Sequence, residues 1–373
     1  MITTKWSRAM PVSCLREMEN ARAHGLLSRR HKLVVITAMI LCVGACSDDD
    51  KSPVAPGPVD APGTLSHHRL SWSLASLPVD PAAGGDTPRT FTANDRVETI
   101  RWFLLNSPVL RRYLEPDVGQ EEGEAPVPAL ELYLRSETGA WETSNWGGIM
   151  CSPTATGTGF PDMSGMAWLD IWVNDGIVDP TQRTGRLHVD FGRLDEDGYW
   201  PLDPEGQLVT NQFEQEDGIL GGEPDGVWGY HEDIGLDGCV SESCVYSADY
   251  GWYSDPPYPQ INNMARNNRE DTEDIDHNGE WDRTNSYFTH VIDLAATVPI
   301  IDVVQDYDNV QELVDAGIAW RLYRIPIRRE LTIVNASGEP DLADVRHFRI
   351  WLEDASNSGM PTRRVQLAGI RFH

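Results

Sequence analysis

The most specific chemistry in this sequence lies in nine consecutive residues, Asp274-Ile275-Asp276-His277-Asn278-Gly279-Glu280-Trp281-Asp282. Oxygen-bearing side chains fall at the first, third, fifth and ninth positions, with glycine at the sixth. That spacing opens an EF-hand-type loop. Alternation turns successive oxygens toward one centre, the glycine permits a sharp bend, and the Glu280 carbonyl adds a ligand. Hard oxygen donors suit calcium over zinc. The twelfth position is Asn285, not a bidentate glutamate, and no helices flank the loop. The expectation is a structural calcium loop, with Asp271 and Glu273 available to complete the shell. The competing reading is a solvated acidic turn. A second, sparser set of oxygens is Asp195, Asp197, Asp203 and Glu205.

Both sets belong to a stretch, residues 195–282, that holds twenty-three Asp/Glu against two Arg. Such a stretch has little apolar surface to bury and needs a cation to order it. Cys239 and Cys244 sit in its Gly-rich part, close enough to form a disulfide in an oxidising compartment. Cys151 reads as a small buried residue.

The elements that must position these residues are strands. Apolar alternation runs through Leu130–Arg135, Ala167–Val173, Leu187–Phe191, Tyr287–Leu294, Phe348–Leu352 and Val365–Phe372. Period two with Val, Ile, Trp, Tyr and Phe predicts strands. Two short helices are expected, one starting at Ser107-Pro108 and one capped by Asn309 with Glu312 and ending at Gly317. The fold class is all-β, an antiparallel, jelly-roll-like sandwich over residues 94–373 with a long acidic loop insertion. Alternation puts Leu169, Ile171, Val173, Leu187, Val189, Phe191, Phe348, Ile350 and Leu352 in the core. Trp168, Asp170, Trp172, Arg349 and Trp351 then lie on opposite faces, with Arg186, His188, Asp190 and His347. Such a face suits a glycan, because tryptophan stacks on sugars while Arg and Asp bond hydroxyls. The favoured reading is a sheet face covered by a loop or helix with its charges paired.

Residues 1–46 comprise an N-terminal extension and an export signal. Arg29, Arg30, His31 and Lys32 precede the apolar run Leu33–Val43, too short to span a bilayer and suited to a signal-peptide core. The run ends in Val43-Gly44-Ala45-Cys46, which resembles the lipobox cleaved before a lipidated cysteine. Cys46 is therefore the expected lipidation site. Ser47-Asp48-Asp49-Asp50 resembles an acidic surface-sorting tag, and residues 47–93 read as a disordered tether. The expected location is the outer membrane or cell surface. The formal net charge is −28; with seven Lys/Arg and two Asp/Glu in residues 1–46, the remainder is near −33. That balance repels nucleic acid.

Several segments resemble the extracellular modules of the SprA-like surface proteins of gliding motility and type IX secretion. They are Arg101-Trp102-Phe103, Trp146-Gly147-Gly148-Ile149-Met150, Trp168–Val173 and Gly185–Phe191. Further on come Asn267–Asp282, with Asn285, Tyr287 and Phe288 after it, then Val345–Leu352 and Ala368-Gly369-Ile370. They occur in order over roughly residues 98–373, although Cys151 stands where the family commonly has arginine. The resemblance implies one β-sandwich module with an acidic loop; the family's transmembrane pore is not implied.

No zinc-protease helix motif, Gly-x-Ser-x-Gly elbow or phosphate loop is present. The leading expectation is a non-catalytic, calcium-stabilised surface protein of envelope assembly, secretion or adhesion, with an envelope protein as partner. A carbohydrate-binding module bound to a surface glycan is the alternative, and a jelly-roll hydrolase ranks third.

Overall fold

The computed structural model describes residues 65, 71–80, 89–153, 162–215, 236, 272–335, 338–353 and 360–373. Within these spans it omits 106–108, 116–117, 137–138, 143, 202, 204, 206, 307–310, 312–314, 316–317 and 328–330. Cys46, Asp271, Cys239 and Cys244 lie outside the described residues, so the lipidation and disulfide expectations concern positions on which the structure is silent.

Sixteen strands are described: β1 Ser73–Leu74, β2 Val79–Asp80, β3 Arg89–Thr90, β4 Thr99–Leu104, β5 Val109–Leu110, β6 Pro126–Val127, β7 Ala129–Arg135, β8 Trp146–Cys151, β9 Trp168–Asn174, β10 Arg186–Arg193, β11 Ser286–Asp293, β12 Ile301–Asp302, β13 Arg321–Pro326, β14 Thr332–Asn335, β15 His347–Glu353 and β16 Thr362–Phe372. One six-stranded sheet runs β1-β8-β15-β10-β11-β14, and a second runs β12-β13-β9-β16-β7-β4. β2–β3 and β5–β6 form small separate pairs. Every ladder between named strands is antiparallel. The chain passes repeatedly from one large sheet to the other, giving the jelly-roll-like sandwich that the alternation predicts.

The core lies between the two sheets. Leu169, Ile171 and Val173 of β9, Leu187, Val189 and Phe191 of β10, and Phe348, Ile350 and Leu352 of β15 belong to one buried cluster. Complete burial of each such side chain contributes about 1.5–3 kcal/mol. Gly148 of β8 faces Trp351 of β15, and a Cβ there would lie 2.4 Å from the Trp351 Cβ. It would also lie 2.5 Å from the Ile350 carbonyl oxygen, so only glycine lets the two backbones approach this closely.

Two expectations about boundaries are corrected. The sandwich starts before residue 94: Trp72, Leu74 and Ala75 are buried, and β1 pairs with β8. Residues 47–93 are therefore not all tether. Two one-turn α-helices are α1 Gln120–Gly123 and α2 Val303–Asp306; Gln311 and Asp315, inside the expected 309–317 helix, are helical as well, whereas the helix expected after Ser107-Pro108 is replaced by β5 and a 3-10 turn, Arg111–Tyr113. Ser107 and Pro108 lie outside the described residues, as does most of 309–317. A four-residue helix is too short to show a 3.6-residue period.

Both sheets are covered on part of their outer faces. On the first, His347, Arg349, Trp351 and Glu353 are all at most 1% exposed. Trp351 is packed edge-on against Phe91 and Trp146, and Trp146 against Trp200. On the second, Trp172, Leu322, Ala129 and Ala368 are packed with Val109, Leu114, Val303 and Trp320.

Candidate metal centre

The outer face of the first sheet meets the acidic insertion at His347. Glu196 follows β10, Asp276 lies in the predicted loop, and His347 opens β15. All three are fully buried, and one potential ligand atom from each lies within 4.8 Å of the others. Among the described residues this is the one such group of three or more.

Glu196 organises the site. Its Oε1 accepts the backbone N–H of Ile275 at 2.9 Å and of Asp276 at 3.3 Å, and its Oε2 accepts that of Asp282 at 2.9 Å. The His347 ring is oriented from both sides. The Leu194 N–H donates to Nδ1 at 3.2 Å, so Nδ1 is an acceptor. Nε2 therefore carries the proton and donates to Glu196 Oε1 at 3.0 Å. In this tautomer His347 has no lone pair left for a metal.

Within the loop, Asp274 Oδ1 accepts the Asn278 N–H at 3.0 Å and Oδ2 the Gly279 N–H at 2.7 Å. Asp276 Oδ1 accepts the same Asn278 N–H at 3.0 Å, and Asn278 Oδ1 accepts the Glu280 N–H at 2.6 Å. Gly279 has φ +81°, the left-handed bend its position requires. Asp276 Oδ2 is buried and has no hydrogen-bond partner. Burial, followed by the neighbouring Glu196 carboxylate, raises the Asp276 pKa above the usual carboxylate range. Two buried carboxylates this close need a proton or a cation between them. With the imidazole nitrogen occupied, the available donors are oxygens, which fits a hard divalent cation such as calcium.

The other loop oxygens are placed differently. Asn278 and Glu280 are exposed, and Asp282 pairs with Arg346 at 3.0 Å. The second set, Asp195, Asp197, Asp203 and Glu205, is bonded elsewhere. Asp195 pairs with Arg283 at 3.1 Å. Asp197 accepts from Trp200 Nε1 and the Asn211 N–H, both at 2.6 Å. Asp203 closes a turn on Glu205 and Gln207, and Glu205 is exposed. Glu273 is a clasp: it accepts the N–H groups of Gly198 at 2.9 Å, Tyr199 at 2.8 Å and Glu214 at 3.0 Å. Spacing could not reveal Glu196 or His347, because each meets the loop only after the sheet has formed.

The aromatic ligand set does not form one face. Trp168, Asp170 and Trp172 lie on β9 of the second sheet, whereas Arg349 and Trp351 lie on β15 of the first. Arg349 and Trp351 are sealed in. Arg349 Nε donates to Asp190 Oδ2 at 2.8 Å, Trp351 Nε1 donates to the same oxygen at 2.9 Å, and His188 stacks on the indole at 3.6 Å. Here the covered face with paired charges is what the fold contains. Trp172 is 8% exposed and Trp168 43%. Beside Trp168, Arg324 holds Asp170 bidentately at 2.7 and 2.6 Å.

No family model matches the chain, and no curated protein matches it. Among solved structures, it is similar to the family 11 carbohydrate-binding module from Clostridium thermocellum, in complex with a β-1,3-1,4-mixed-linked tetrasaccharide. That match covers 83% of this chain and 94% of the module, with 9% identity and a TM-score of 0.30. A likeness this low carries no argument about what the chain binds.

Proposed function

We propose that this chain is an exported, non-catalytic β-sandwich, lipid-anchored through Cys46 at the outer membrane or cell surface, in which calcium closes the acidic insertion. Its role is in envelope assembly, secretion or adhesion; the SprA-like segments support the β-sandwich module with its acidic loop and do not carry over a secretion function. The observation that carries the calcium part is the buried Asp276 Oδ2, which has no donor, on a residue grouped with Glu196. The anchor rests on the apolar run ending at Cys46. Labelled palmitate incorporation with envelope fractionation tests it: the wild-type chain takes label and sediments with membranes, and Cys46→Ser does neither. Equal labelling of both forms rules the anchor out.

The glycan-binding alternative keeps one supporting feature, the exposed Trp168 beside a fixed Arg324–Asp170 pair. Glycan-array binding that disappears in Trp168→Ala would establish it. An array with no signal for the wild-type chain would remove it.

A further inference from the structure

We infer that Glu196, about eighty residues upstream of the loop, supplies the carboxylate ligand that its twelfth position lacks, making an oxygen-only cation site from two chain segments. The inference rests on the calcium reading above and names a ligand that the loop sequence does not contain.

An EF-hand-type loop needs a second strong carboxylate to close the coordination shell opposite its first oxygens. Here Asn285 occupies that position and is not a carboxylate. Glu196 arrives from the other arm of the insertion and contacts the same turn. It is tied to the amides of Ile275, Asp276 and Asp282, at both ends of the loop. Its Oε2 takes a single amide donor, which leaves a lone pair for a cation. Asp276 Oδ2 is the matching acceptor: it is buried and has no partner, and its residue belongs to the same close group. Nearby guanidinium groups are engaged with other carboxylates, Arg346 with Asp282 at 3.0 Å and Arg283 with Asp195 at 3.1 Å. His347 orients Glu196 through Nε2–H and does not ligate. The site therefore selects calcium over zinc, a selectivity that an imidazole ligand would reverse.

The test is calcium binding by the full chain, measured by equilibrium dialysis with elemental analysis and by calorimetry with calcium alone. Glu196→Gln is expected to weaken calcium at least tenfold. His347→Gln, whose amide can still donate to Glu196, should stay within about threefold of wild type. Glu196→Asp keeps the charge but shortens its reach, and serves if the glutamine form does not fold; it too should lose affinity. Calcium held equally by wild type and Glu196→Gln would overturn this assignment while leaving the loop reading intact. A wild-type chain that binds no calcium would overturn both. Tight zinc binding abolished by His347→Gln would overturn the oxygen-only donor set. Asp276→Asn separates cation from proton. It should lower the melting temperature in calcium, whereas a higher melting temperature in metal-free buffer, with no calcium effect, would assign the gap to a proton.

Discussion

Arg349 is fully buried, and its guanidinium is held by Asp190 on one side and by the Ser76 carbonyl and hydroxyl on the other, at 3.1 and 3.0 Å. Such a pair adds little net stability, yet losing one member leaves an uncompensated charge. Asp190→Asn should therefore cost about 3–5 kcal/mol in urea unfolding. Replacing both residues with apolar ones of similar size should recover most of that loss. Cys151, 2% exposed, has its thiol raised well above the usual range by burial. It should react with a thiol reagent only as fast as the chain unfolds; rapid labelling of the native protein would contradict its place in the core. At this scale the sequence showed which residues alternate inward, because strand period two is local. It could not show that Arg349 pairs with Asp190, or that Glu196 reaches Asp276, because those contacts depend on which strands become neighbours.

The insertion's two described arms hold each other through buried carboxylates. Glu196 collects amides from 275–282, and Glu273 collects those of Gly198, Tyr199 and Glu214. Burial nevertheless pushes Glu273 up to about 9, and burial with the nearby Asp197 pushes Glu214 up to about 7. The unfolded chain would titrate both near the ordinary ~4.3. The folded form then binds more protons across that interval, so their contribution falls as pH rises from about 4 through 7 and on to 9. In chelator, the melting temperature should decline over this window, and Glu273→Gln should flatten the decline. A Glu273→Gln profile parallel to wild type would show that this carboxyl does not titrate there. The long strands were legible because their alternation is unbroken, as in β7, β9 and β15. β1 was missed because two residues show no period, and its pairing with β8 depends on Trp72 and Leu74 burying against a sheet built later in the chain. The one-turn helices α1 and α2 were missed for the same reason.

The whole chain carries a formal charge of −28, concentrated after residue 46. Self-repulsion of that size loosens a compact state, and a bound divalent cation opposes it where carboxylates are densest. The sandwich was readable from pattern alone, whereas the assignment of Trp168 and Trp351 to different sheets was not. Alternation says that a residue faces outward without saying from which sheet. Among the described residues no helix is long and apolar enough to cross a membrane. In the proposed reading, calcium joins the insertion to the sandwich. A ligand at a hundred times its Kd stabilises the native state by about 2.7 kcal/mol, which in a domain this large moves Tm by roughly 4–5 °C. Thermal unfolding of the purified chain in calcium and in chelator, with elemental analysis of the same sample, measures this directly. Bound calcium and a drop of that size on chelation are expected; no bound metal and identical melting curves would overturn the calcium site.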